Sequence, residues 1–138
     1  MHHRRFFYVT VVAAALTVPL SVWAQTKPLP SQENDSGQVM VTVTPLDLAP
    51  TAVTWRFAVQ LNTHVAPITQ DLAAVSVLSD GKGHEEHAVA WQGDPPGGHH
   101  RKGVLVFKAL TPTPEAVTLT IGQVGSVPQR TFTWKLGG

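Results

Sequence analysis

Cysteine is absent from all 138 residues. That excludes disulfides, thiolate metal sites, haem attachment through cysteine, a lipoprotein anchor and a cysteine nucleophile. Charge is sparse as well: 14% of residues are charged, and 10 Lys+Arg against 9 Asp+Glu leave a formal +1. Such a balance offers no basic field to nucleic acid. Enzyme signatures are missing too. There is no G-x-S-x-G elbow, no P-loop and no dinucleotide fingerprint, and His84-Glu85-Glu86-His87 is one residue short of H-E-x-x-H. The expectation is a protein without catalytic activity. Turn-forming residues, by contrast, are plentiful. Eleven Gly and eleven Pro exceed the usual combined share of roughly 12% and argue against a helical bundle. The length suits one domain and is short for two.

Residues 1–24 read as a secretory signal peptide. Met1-His2-His3-Arg4-Arg5 is a basic start, Phe6 to Leu20 is an almost unbroken apolar run, and Ser21-Val22-Trp23-Ala24 supplies a cleavage point after Ala24. Arg4-Arg5 abuts the apolar run directly, which suits ordinary secretion better than a twin-arginine route. The apolar stretch contains Pro19 and ends at polar Gln25-Thr26-Lys27, so it is short for a retained span. Its removal leaves 8 basic groups, 9 acidic groups and 5 histidines. The expected location is periplasmic or secreted, with no membrane span after cleavage.

Residues 25–37 are polar and lack periodicity, so they are expected as a flexible leader. A β-domain is expected over 38–138. Val39, Val41 and Val43 alternate with Met40, Thr42 and Thr44, and Val53-Trp55-Phe57-Val59-Leu61 is the clearest alternating run in the chain. Val75 to Leu78 leads into the turn Ser79-Asp80-Gly81-Lys82-Gly83, with His87 to Trp91 as the expected hairpin partner. Further strands are expected at Val104 to Phe107, Val117 to Ile121 and Arg130 to Leu136. Ile68, Leu72 and Val75 have the spacing of a short helix between strands. Seven strands at such intervals predict an immunoglobulin-like antiparallel β-sandwich, with a small β-barrel as the alternative. Its core would rest on Trp55, Trp91, Trp134, Phe57, Phe107 and Phe132.

The five remaining histidines cluster in loops. His99 and His100 lie in Gly97-Gly98-His99-His100-Arg101-Lys102-Gly103, and His64 follows the longest strand. Neutral imidazole is a common ligand for Cu(II) and Zn(II). Neighbouring strand ends in a sandwich lie close together, so His64 is expected to meet His99 or His100, with Asp71 as the carboxylate. Asp94 is a second carboxylate within reach of that loop. Adjacent side chains tend to point apart, so one of His99 and His100 would join a given site. His84 and His87, three residues apart on an extended arm, face opposite ways and should not chelate together. With Met40 the only sulfur left after cleavage, Cu(II) or Zn(II) fits better than Cu(I).

The segments Thr63-His64, Asp71-Leu72, Trp91-Gln92-Gly93 and Gly97-Gly98-His99-His100-Arg101-Lys102-Gly103 form a TH…DL and W-x-G…GGHHR-x-G pattern. It resembles that of small uncharacterised secreted prokaryotic β-sandwich proteins, over roughly residues 53–136. The resemblance implies a shared sandwich and draws attention to Thr63-His64, Asp71 and His99-His100. Two functions compete at this point. One is binding of a divalent metal through loop histidines. The other is a structural or adaptor module that binds a protein partner without metal.

Overall fold

A computed structural model describes residues 27–137. The signal peptide expected over 1–24 lies outside the described residues. Period-two alternation places one side of each strand inward, and the buried sets follow it closely. In β3 (Thr54–Thr63), Trp55, Phe57, Val59 and Leu61 are buried while Thr54, Arg56 and Gln60 are exposed. β2 (Val39–Asp47) buries Val39, Val41 and Val43 in the same way. β8 (Ala116–Val124) buries Val117, Leu119 and Ile121, and β9 (Val127–Lys135) buries Phe132 and Trp134.

These strands form two antiparallel sheets packed face to face. β1 (Gln32–Ser36), β2, β3, β7 (His100–Lys108) and β6 (Ala90–Gly93) make a five-stranded sheet in the order β1-β2-β3-β7-β6. β5 (Glu85–His87), β4 (Ser76–Ser79), β8 and β9 make the second, in the order β5-β4-β8-β9. Without β1 and β5, the orders β2-β3-β7-β6 and β4-β8-β9 are those of an immunoglobulin-like sandwich. The sheets do not close into a barrel. Aromatic rings join the two layers. Phe57 of the first sheet lies 5.5 Å from Trp134 of the second and meets Phe107 edge-on at 5.8 Å. The Trp55 indole NH donates to Ala49 O at 3.0 Å, so its one polar atom is satisfied.

Four details depart from the sequence-based expectations. The strands number nine rather than seven among the described residues. Part of the expected flexible leader, residues 32–36, is strand β1, paired with β2 from Gln32↔Val43 to Ser36↔Val39. The expected partner strand from His87 to Trp91 is two strands in different sheets. Ala88 N–H donates to Ser76 O and the next residue, Val89, donates to Val106 O, so the chain crosses between layers there. The short helix expected around Ile68, Leu72 and Val75 is a single turn, closed by Val75 N–H on Asp71 O. Among the described residues no helix is long and apolar enough to cross a membrane.

The strand order brings four connections to one end of the sandwich: 37–38, 64–75, 94–99 and 125–126. Every residue singled out for metal binding lies at or beside this end.

Candidate ligand-binding end of the sandwich

β3 ends at Thr63, which is buried despite its hydroxyl. Its Oγ1 donates to Gln38 O at 2.9 Å and accepts from Val65 N–H, while its own N–H donates to His99 O at 2.9 Å. A buried hydroxyl with donor and acceptor both used carries little penalty. Thr63 thus ties the end of β3 to two neighbouring connections. Beyond it, Ile68 and the glycine pair exchange hydrogen bonds, Ile68 N–H to Gly98 O at 2.9 Å and Gly97 N–H to Ile68 O at 2.8 Å. Gly97 and Gly98 adopt φ of 110° and 71°, which side chains other than glycine rarely tolerate. Asp71 then caps the following turn. Its Oδ1 accepts from Ala73 and Ala74 N–H at 3.1 and 3.3 Å, while Leu72 is fully buried.

At the centre is Arg101, 2% exposed. It faces Leu61 across the β3–β7 ladder and shares the inward side of β7 with Leu105 and Phe107. Its NH1 donates to Ile68 O at 3.2 Å and Gln70 O at 2.8 Å, and its NH2 to Asp94 O at 3.3 Å. One guanidinium therefore fastens both long connections to the sheet. Burial pushes its pKa down, and the nearby carboxylates of Asp94 and Asp71 push it back up. The group stays cationic, as guanidinium does throughout the working pH range.

The Trp91 indole lies under this guanidinium, 5.6 Å from ring centroid to Cζ, and donates its own NH to Asp94 O at 2.8 Å. Room for the ring comes from a glycine pair. Gly93 and Gly103 face each other across β6 and β7. A Cβ on Gly103 would stand 2.7 Å from the Trp91 ring, from Gln92 O and from Gly93 Cα. Asp94 completes the arrangement: its N–H donates to Lys102 O, and its Oδ2 accepts from Lys102 N–H at 3.0 Å. The W-x-G and R-x-G spacings thus have one physical cause. Trp91, Gly93, Arg101 and Gly103 lie on the inward side of adjacent strands and form a single stacked cluster.

The histidines of the pattern are its exposed members. His64, His99 and His100 are all exposed, as is Asp71. The Thr63–His99 hydrogen bond sets the backbones that carry His64 and His99 side by side. His100 lies on β7 rather than in a loop, because pairing with Asn62 extends that strand toward its start. Its Nδ1 is 2.8 Å from Asn62 Oδ1 on the outer face of the sheet. Together they border a depression of about 230 Å³ that Gln60, Asp94, Arg101 and Lys102 also line. His84 lies elsewhere, on the β4–β5 hairpin, with its Nε2 3.3 Å from Glu86 Oε1. Among the described residues, no group of three or more His, Asp or Glu side chains is arranged to hold a metal ion.

In the sequence Arg101 stands among the polar residues of an expected loop, with nothing in composition to mark it as buried. The missing signal was parity: Arg101, Gly103, Leu105 and Phe107 share one side of a strand. No family model matches this chain, and neither a curated protein nor a solved structure matches it at a significant level.

Proposed function

We propose that the protein is an exported, non-catalytic binding module whose working surface is this end of the sandwich. The ligand it takes there is a divalent cation, Cu(II) or Zn(II). The hydrogen bond from Thr63 N–H to His99 O carries this reading, since it sets two histidine-bearing segments side by side on a frame that Arg101 holds. His64 and either His99 or His100 supply imidazole nitrogen. Asp71 gives Oδ1 to the turn, which leaves Oδ2 for a cation. Two imidazoles and a carboxylate oxygen leave coordination positions open to water or to a partner's groups. An open site of that kind suits storage, delivery or sensing.

A second reading is a protein-binding module without metal. The observation in its favour is that no three-ligand group is arranged among the described residues. Calorimetric titration of tag-free protein with Cu(II) and Zn(II) separates the two. The double change His99→Ala with His100→Ala is expected to lower Cu(II) affinity about tenfold or more. His84→Ala with His87→Ala is expected to change it little. Binding should also weaken in acid, because protonated imidazole cannot coordinate. Equal losses from both pairs would mean diffuse surface binding, and unchanged affinity after the first pair would remove the site.

A further inference from the structure

Strand β1, Gln-Glu-Asn-Asp-Ser, contains no apolar residue. Its position rests on hydrogen bonds to both sheets. It pairs along the edge of β2, while from β9 Arg130 NH1 donates to Asn34 O and Arg130 NH2 to Ser36 O. The Gln32 side-chain amide acts as an extra strand residue, donating to Thr133 O and accepting from Thr133 N–H. β1 therefore straps the edge strand of one sheet to the edge strand of the other. The ladder and the carbonyl bonds of Asn34 and Ser36 depend on register, the side-chain bonds of Gln32 and of Asn34 Oδ1 to Arg130 depend on sequence, and none depends on which copy of the chain supplies it.

The link that makes β1 local is the turn Gly37-Gln38, with φ of 57° and 64°. A two-residue hairpin of this hand favours glycine, asparagine or aspartate at both positions. Gln38 instead carries a full side chain in the left-handed region. Gly37 has no slack either, since a Cβ there would stand 2.7 Å from Val127 Cγ2 and 2.8 Å from Ser126 Oγ. A short strained hinge between two strands is the setting in which identical elements exchange between copies.

We infer that β1 exchanges between two copies of this chain. The turn at 37–38 straightens, β1 runs on from β2 as one extended strand, and each β1 lies on the partner copy's β2 and β9. The partner is a second copy because the Gln32 amide matches the backbone of Thr133, and Asn34 Oδ1 matches Arg130, in the register that brings the Asn34 and Ser36 carbonyls to the same guanidinium. Exchange relieves the left-handed backbone of Gln38 in each chain and retains the hydrogen bonds of β1. What opposes it is the entropy of association, so the dimer grows with concentration.

The test uses the absence of cysteine. Asp35 faces Met40 in the pair next to the one that closes the turn, a position where facing Cβ atoms lie close enough for a disulfide. The Asp35→Cys with Met40→Cys variant is refolded over a range of concentrations, oxidised and weighed intact without reductant. The expected result is a covalent dimer whose fraction rises with protein concentration. Adding Gln38→Gly should lower that fraction several-fold at a given concentration, since it removes the strain. Native mass of the unaltered secreted chain should show the same concentration-dependent dimer, which covers a variant that fails to fold. The inference is overturned by bridges only within single chains at every concentration, by a Gln38→Gly variant that dimerises equally, or by an unaltered chain that stays monomeric throughout.

Discussion

Replacing Arg101 with alanine is expected to destabilise the domain by about 3–5 kcal/mol, because three charge-assisted hydrogen bonds go with it. The carbonyls of Ile68, Gln70 and Asp94 each lose a charged donor; Ile68 O keeps the Gly97 N–H and Asp94 O the Trp91 indole N–H, so Gln70 O is the one left without a partner, and the face of Trp91 loses its cover. Hydrogen bonds to a charged donor contribute about 1.5–3 kcal/mol each, and three are lost together. Part of that loss is offset because the guanidinium no longer has to be desolvated. Arg101→Lys should recover only a fraction, since an ammonium lacks the planar fork that reaches three carbonyls at once. A denaturant titration measures both variants, with the midpoint falling and the slope unchanged. Amide exchange at Ile68 and Gly97 should speed up before the rest of the sheet opens. A loss below about 1 kcal/mol for the alanine variant would mean that the connections are held by other contacts.

Trp55→Ala is expected to be as damaging, at about 3–5 kcal/mol. Trp55 is fully buried, and its indole NH is bonded to Ala49 O, so truncation leaves a large cavity and removes one of the two hydrogen bonds to that carbonyl, which also accepts from Ala52 N–H. Against a total stability of about 5–15 kcal/mol for ordinary domains, such a loss removes most of the margin at the lower end of that range. The same titration decides, or the yield of soluble protein if the variant does not fold. A change under about 1 kcal/mol would contradict the central position given to β3.

Hydrophobic alternation made the inner strands legible. β3 and β9 present their buried residues at every second position, and the number and spacing of such runs pointed to a sandwich, while the strand order is set by the pairing in the fold. It could not reveal β1, because Gln32 to Ser36 are held by hydrogen bonds rather than by apolar burial. Nor could it divide β5 from β6. Ala88, Val89 and Ala90 read as one continuous run, yet Ala88 and Val89 donate to opposite sheets and Val89 is 64% exposed. The same blindness applied to Arg130, at the same end of the sandwich beside the 37–38 and 125–126 turns. Arg130 was read as the start of a strand, but it is 1% exposed and shares the inward side with Phe132 and Trp134. Burial pushes its pKa down, with Asp35 opposing the shift. Alternation marks apolar cores, and an inward arginine whose terminal nitrogens donate to carbonyls breaks the apolar rule while keeping the parity.

The candidate site was legible as a position and not as a geometry. Sequence placed His64 and His99 at neighbouring strand ends, and the two backbones do lie side by side through Thr63. The pattern around them, however, is accounted for by packing. Thr63, Asp71, Leu72, Trp91, Gly93, Gly97, Gly98, Arg101 and Gly103 each have a structural task, which leaves the exposed imidazoles as the part that packing does not use. That remainder is what the metal-binding proposal rests on.

Native mass spectrometry of tag-free protein, recovered from the extracytoplasmic fraction and equilibrated with one equivalent of Cu(II) or Zn(II), tests the account most directly. The expected species begins at Gln25, carries one metal ion per copy and releases it in acid. A chain that retains residues 1–24 would contradict export by signal cleavage, and one that stays metal-free would contradict the histidine site.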